Sequence, residues 1–282
     1  MTTRTEQLVL VTGGTGTTGR RIADRLRRHG VVVRTTSRAG SPPFDWEQPD
    51  TWGGVLDGVT TVYIAYSPDL AMPGALATVT KFCDRARHSG VDKFVLLAGR
   101  GEEAAEAAED AVKSSGARWT IVRASWFDQN FSEGMLHHAV LGGTIALPGG
   151  TVREPFVDVE DIADVAVAAL VGQEHDGRTY DVTGPRLMTF GEAADELASA
   201  SGRSISYVHV SSEEFVAGAI ADGVPESIAG ALAEMFVGIL DGRNSHVGNG
   251  VREALGRDPR DFSVFAARAA SEGAWSSPRD AA

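Results

Sequence analysis

The chain has 282 residues, 43% of them hydrophobic and 23% charged, enough to bury a full core without covalent staples. A formal net charge of −12 argues against a nucleic-acid backbone as partner, because neutralising phosphates needs clustered Lys and Arg. The single cysteine, Cys83, excludes an intramolecular disulfide and fits a reducing, cytoplasmic setting.

Residues 1–7 are polar and the apolar run after them is short and cut by glycines, so no signal peptide is expected. No stretch reaches the ~20 apolar residues of a membrane helix. A β-branched run at 8–12 predicts a strand covered on both faces. A helix over 16–29 should follow, with Ile22, Ala23 and Leu26 on its inner face and Gly30 as its stop. Its arginines Arg20, Arg21, Arg25, Arg27 and Arg28 read as a solvated face. Strand two is expected at 31–36, a short helix near Asp57 and Gly58, and strand three at 61–65. A helix over 73–89 would pack Cys83 among Val79, Phe82 and Ala86. Strand four at 93–98, a helix at 102–115 and strand five at 119–123 complete the rhythm. Such strand–helix alternation predicts an α/β Rossmann fold with a doubly wound parallel sheet.

Beyond Ala124 the alternation loosens. A helix is expected over 126–140, a strand at 144–147 and a turn at Pro148, Gly149 and Gly150. A helix over 158–170 carries acids in its first turns, where the helix dipole favours them, and a strand follows at 178–183. Thr189 and Glu192 make a capping box opening a helix to Ala200, and a strand follows at 204–210. The remainder reads as helices broken at Gly223, Val224 and Pro225 and again over 242–250, with 276–282 frayed. The expected organisation is a dinucleotide-binding part at 1–150 and a smaller, mostly helical part at 151–282, interleaved with the sheet. Helices over 188–197 and 214–240 would cover a cleft and choose its substrate. Met235, Phe236, Ile239 and Leu240 form an apolar stripe that is core first and a dimer face second, leaving monomer and homodimer open.

The chemistry concentrates at 12–19, where Gly13, Gly16 and Gly19 stand at G-x-x-G-x-x-G spacing between a strand and a helix. Gly13 would permit the tight turn, Gly16 the approach of a pyrophosphate to backbone, and Gly19 close helix–strand packing. Helix-terminal amides would then hold the anion. NAD sites usually carry an acid after strand two; here the strand ends Arg34, Thr35, Thr36, Ser37, Arg38. Arg38, with Arg34 beside it, suits a 2′-phosphate, which favours NADP(H).

The Thr-Gly-Gly-Thr-Gly-x-x-Gly turn, Ser37-Arg38, the block over 122–131 and the block over 155–163 resemble the NmrA-like atypical short-chain dehydrogenase/reductases. Phe44, Asp45 and Trp46 are similar to the festuclavine/agroclavine dehydrogenase branch, which reduces iminium ions. The family also holds quinone oxidoreductases and redox-sensing regulators. The resemblance implies that Gly13, Thr15, Gly16, Thr17, Thr18 and Gly19 hold the pyrophosphate and Arg38 the 2′-phosphate. It places Asp45 and Trp46 near the adenine, and Ala65, Tyr66 and Ser67 beside the pyrophosphate and nicotinamide ribose. Ala98, Gly99 and Arg100, with Ala124, Ser125, Trp126 and Phe127, would border the nicotinamide.

Typical short-chain dehydrogenases add a Tyr-x-x-x-Lys pair after strand four and a serine at that strand's end. This chain has Ala98 and Gly99 there, and no tyrosine over 102–115. Lys113 has Glu109 four residues before it, which reads as a helix-surface salt bridge. A site lacking that couple suits acceptors that need no strong acid: an iminium, a quinone or an activated alkene. Tyr66, Asp128 and His137 are the candidates for polar, catalytic contacts, while Trp126, Phe127 and Phe131 suggest a wall for an aromatic or flat small molecule. His137 and His138 diverge on a helix, so no metal site is expected. The reading is an NADPH-dependent reductase of a small organic acceptor, with secondary metabolism as its setting. A dinucleotide sensor without turnover and a non-redox isomerase or cyclase are the alternatives.

Overall fold

The structure is a computed structural model and describes residues 7–276; the expected frayed tail, apart from Ser276, lies outside the described residues. β1 (Leu8–Val11), α1 (Thr17–Arg28), β2 (Val32–Thr35), α2 (Trp52–Leu56), β3 (Thr61–Ile64), α3 (Ala75–His88), β4 (Lys93–Gly99), α4 (Glu103–Lys113) and β5 (Arg118–Ala124) alternate as their periodicity predicts. They are followed by α5 (His137–Gly142), β6 (Thr144–Leu147), α6 (Val159–Val171), β7 (Arg178–Val182), α7 (Phe190–Ser201) and β8 (Ser206–His209). The chain then runs helically through α8 (Ser212–Ala221), α9 (Glu226–Ile239), α10 (Gly250–Leu255) and α11 (Phe262–Ser271). No helix among the described residues is long and apolar enough to cross a membrane.

The main sheet has six parallel strands in the order β2-β1-β3-β4-β5-β7, the doubly wound arrangement expected of the sequence. The chain forms two compact units and crosses between them five times. The first comprises Met1–Ala124, Val159–Val182 and Asn249–Asp258; the second comprises Ser125–Asp158, Thr183–Gly248 and Pro259–Ala282. The division therefore falls at the end of β5 and not near residue 150. The reason is long-range pairing: β7 returns to extend the sheet, with Ile121 opposite Thr179 and Val122 opposite Tyr180.

In the first unit, β3 is buried at every residue and β1 at three of four, as strands covered on both faces must be. Leu10, Val62, Ile64, Phe94 and Ile121 meet Val55, Phe82, Cys83, Ala105 and Val112 in one apolar cluster. Burying each large side chain contributes about 1.5–3 kcal/mol. On α1, Ile22, Ala23 and Leu26 are buried as read from the sequence. Its arginines are not uniformly solvated. Arg21 bonds Glu160 at 2.7 Å, Arg25 bonds Asp164 at 2.8 Å and also pairs with Glu160, while Arg27 stays half exposed. The acids that suit the α6 dipole thus also neutralise one edge of α1.

The second unit carries its own cluster, in which Phe131, Phe156, Phe190, Phe236, Phe262 and Trp275 are buried. β6 and β8 form a small parallel pair. Its sharpest departure from expectation is at 126–140, which is not one helix. Phe127 is extended and bridges Val157, with Asp128 N–H donating to the Val157 carbonyl at 2.9 Å. Only a 3-10 turn, Asp128–Phe131, follows before α5. A Cβ at Gly134 would stand 2.7 Å from Asn130 Cα, so the chain folds back on itself between the two. The capping box does form, with Glu192 N–H donating to Thr189 Oγ1 at 3.0 Å and Thr189 N–H to Glu192 Oε2 at 2.7 Å.

Candidate functional site: a dinucleotide cradle

Thr12, just past β1, donates from its hydroxyl to the Tyr63 carbonyl at 3.0 Å and accepts from Ala65 N–H at 2.8 Å, pinning two strand ends together. The chain then turns at Gly13, whose φ of +61° would strain any L side chain, and Gly16 N–H closes the turn on the Gly13 carbonyl at 2.8 Å. A Cβ at Gly19 would lie 2.2 Å from the Gly13 carbonyl oxygen, and one at Gly14 would lie 2.5 Å from Thr35 Cβ. Gly13 and Gly19 therefore serve the turn and the close packing read from their spacing. Gly14 is a further requirement that the spacing rule passes over.

α1 opens at Gly16 with no side-chain cap and no acid in its first turn, and Gly13, Thr15 and Gly16 are exposed. The first amides of the helix are therefore left to an outside acceptor, in a field that favours an anion. A dinucleotide pyrophosphate fits this cradle, whose shape depends on there being no side chain at 14 or 19, where one would collide with Thr35 or with the turn's own backbone. The Thr18 hydroxyl is buried and accepts from the Tyr63 phenol at 3.1 Å. Burial pushes that phenol's pKa up.

At the end of β2, Arg38 is exposed beside a buried Thr36. Arg34 donates from Nη1 to the Val55 and Asp57 carbonyls at 2.8 and 2.7 Å, a clamp on the last turn of α2 and the residue after it. Asp45 shapes its own turn, accepting from Glu47 N–H at 3.0 Å and Gln48 Nε2 at 3.2 Å. Trp46 packs edge-on against Phe44 and Phe82, with centroids 4.8 and 4.9 Å away, and tilts over Tyr66 at 5.1 Å. Tyr66 is half-buried against this cluster and Ser67 is exposed.

Ala98 and Gly99 end β4, next to Ala124 at the end of β5. Arg100 is buried; its N–H donates to the Ala124 carbonyl at 3.1 Å and its guanidinium lies 3.9 Å from Asp181. Lys113 does reach Glu109, at 3.2 Å, yet Glu109 is fully buried and is gripped by Arg123 at 2.6 and 2.7 Å. The expected surface pair is thus one arm of a buried network. Glu102, which sequence reasoning passed over, turns its carboxyl back over Gly99. The signal for it was a glycine at the strand end followed three residues later by an acid.

The second unit holds the other candidates. Ser125 Oγ and Trp126 Nε1 are buried without a hydrogen-bond partner, while the indole stacks on Phe236 at 5.6 Å. Phe131 is fully buried among Phe156, Phe190 and Phe262, and its carbonyl accepts from Trp275 Nε1 at 2.8 Å. Its ring is core and not the exposed wall its position suggested. Asp128 is fully buried and does not cap the 3-10 turn. His137 opens α5 with ring Nε2 2.8 Å from the Ala274 carbonyl, a tether to the chain after α11.

Residues 13–172 match a family model described as NAD(P)H-binding. The chain is 31% identical to an NAD(P)H azoreductase of Xenophilus azovorans, over 95% of this chain and 100% of that one. It is 31% identical to an agroclavine dehydrogenase of Claviceps purpurea, over 92% and 96% of the two. Among solved structures, the quinone oxidoreductase QOR2 of Escherichia coli complexed with NADPH superposes with a TM-score of 0.77 at 19% identity, over 92% of this chain and 99% of that one.

Proposed function

The chain belongs to the NAD(P)H-binding, NmrA-like family of atypical short-chain dehydrogenase/reductases, and from that premise we propose an NADPH-dependent reductase of a small organic acceptor. The observation that carries this is the open mouth of α1, uncapped and without an acid in its first turn, together with an exposed Arg38 where an NAD site would carry an acid. Backbone amides from Gly13 to Gly19 hold the pyrophosphate, and the Arg38 guanidinium pairs with the 2′-phosphate. Tyr66 and Ser67, at the carboxyl end of β3, flank the ribose side; Ala98, Gly99 and Ala124, at the ends of β4 and β5, border the nicotinamide. Bound there, the reduced dinucleotide supplies a hydride.

The missing Tyr-x-x-x-Lys couple directs the chemistry away from plain ketones, whose reduction needs a strong acid in place, toward iminium, quinone or activated-alkene acceptors. The names of the azoreductase, the clavine dehydrogenase and the quinone reductase are compatible with acceptors of this kind. Calorimetric titration with NADPH and NADH, followed by NADPH oxidation on a panel of quinones, cyclic iminium ions, enones and ketones, tests the reading. Preferred NADPH binding with turnover outside the ketones is the expected result; no uptake of either dinucleotide would end it.

A further inference from the structure

Gly99 closes β4, in the Ala98-Gly99 pair that stands where typical short-chain dehydrogenases are expected to carry a serine. A Cβ placed on it would stand 2.5 Å from Glu102 Oε1 and 2.7 Å from Oε2. The Glu102 carboxyl therefore occupies the space that a side chain at 99 would fill, at the carboxyl edge of the sheet. Glu102 is the N-cap residue of α4 yet makes no capping bond. Its Oε2 is buried and receives no hydrogen bond from a protein donor.

Opposite it stands Asp69, exposed on the loop after β3, with its own Oδ1 held by Ala71 N–H at 2.8 Å. Of the basic groups nearby, Arg100 lies 3.9 Å from Asp181 and Arg123 is bonded to Glu109 at 2.6 Å. On α4 itself Glu103 and Glu106 are exposed, and Glu106 lies 3.7 Å from Arg123. A buried carboxyl beside another negative charge favours keeping its proton. Burial first, then the charge of Asp69 and a hydrogen bond with it, push the Glu102 carboxyl up to about 7.

We infer that Glu102 is the proton donor of this reductase, and that its acceptor is of the quinone type, whose reduction leaves an oxyanion, and not an iminium. The inference rests on the reductase reading above. The dinucleotide contributes the hydride and its two electrons and leaves oxidised. The Glu102 O–H bond breaks as the O–H bond of the reduced acceptor forms, which gives a neutral hydroquinone and a Glu102 carboxylate. Water then returns a proton through exposed Asp69. Glu102 thus fills the space beside Gly99 and delivers the proton that the reduced quinone takes up.

The test uses the full chain, with Glu102→Gln and Asp69→Asn, and three readouts: NADPH binding, the pH profile of kcat with a para-quinone, and an infrared titration of the protonated-carboxyl stretch without cofactor. Wild type should lose kcat as pH rises through about 7. Glu102→Gln should still bind NADPH, lose ~100-fold in kcat and lose that limb. The carboxyl band titrating near 7 should vanish in Glu102→Gln and move to lower pH in Asp69→Asn. If Glu102→Gln keeps kcat and the limb, or if wild type shows no such band, the assignment is wrong while the reductase reading stands. If wild type binds NADPH but oxidises it with no quinone while iminium ions turn over, the quinone assignment and the donor role fall while the reductase reading stands. Failure with every acceptor sinks the reductase and the donor together.

Discussion

Gly19 and Gly13 touch through backbone: the carbonyl oxygen of Gly13 lies 2.2 Å from where a Cβ on Gly19 would be, with the Gly13 carbonyl carbon at 2.8 Å. The same carbonyl closes the turn by accepting from Gly16 N–H at 2.8 Å. One oxygen therefore fixes both how tightly the turn closes and how near α1 stands to β1.

Gly19→Ala should accordingly cost about 2–3 kcal/mol, because the methyl meets rigid backbone and not a flexible side chain. The displaced turn should also weaken dinucleotide binding. Gly16→Ala, whose Cβ would find its nearest atom at 3.2 Å, should be the milder change in stability. Denaturant midpoints of the two variants check the order, and equal losses would mean that the contact is not what limits the turn.

Arg38 and Arg34 sit four residues apart and separate cleanly by partner. Arg38→Ala should weaken NADPH binding about 10–100-fold, the value of one charge-assisted pair, and leave NADH binding nearly unchanged. Arg34→Ala removes two bonds to the Val55 and Asp57 carbonyls, so it should lower stability without altering the ratio of the two affinities. Paired calorimetric titrations decide this. A ratio that moves with Arg34 and not with Arg38 would reverse the assignment.

The alternating half of the fold was legible because strand and helix periods are local, and the turn at Gly13 because its glycines answer to steric rules within a few residues. What the sequence hid was long-range. The stretch at 126–140 has helical composition, but the Phe127 bridge to Val157 holds its first residues extended. The two units interleave because β7 pairs with β5 across more than fifty residues, which no local pattern reports. Arg21 and Arg25 looked solvated on a helical wheel; their acidic partners lie about 135–139 residues away on α6. Within the candidate site, Glu102 was hidden for a different reason. The Tyr-x-x-x-Lys pattern has no place for an acid, whereas the space at Gly99 is filled by the carboxyl of the residue that opens the following helix.

Cys83 is 1% exposed on α3, and burial, with the charge of Asp84 adding to it, pushes its thiol up to about 12. A thiol this far above the usual range is almost entirely protonated at pH ~8 and has no access to reagent. It should resist aromatic disulfide reagents in the native protein and react only as the first unit opens. The labelling rate should then rise with urea in step with loss of ellipticity. Rapid labelling without denaturant would show that α3 leaves the sheet far more readily than its packing implies.

Glu160 on α6 accepts from Arg21 at 2.7 Å and pairs with Arg25, while Arg25 also holds Asp164 at 2.8 Å and Arg257 reaches Asp161 and Asp164 at 2.7 and 2.6 Å. Burial alone would raise the Glu160 carboxyl, but the bonds from Arg25 and Arg21 outweigh it and hold it down at about 2, against 4.5 for an ordinary glutamate. A lowered folded-state value means that the stabilisation is complete above 4.5 and is lost as pH falls through about 2. At 1.36 kcal/mol per unit, and discounted for the solvent that reaches this half-buried group, this amounts to about 1–2 kcal/mol at neutral pH. Glu160→Gln has the shape of the protonated acid, so it should sit about 1–2 kcal/mol below wild type at pH ~7 and converge on it as pH approaches ~2. Denaturant titrations of both proteins across that range measure the gap directly. A gap that stays constant with pH would mean that Glu160 acts through its shape and not through its charge.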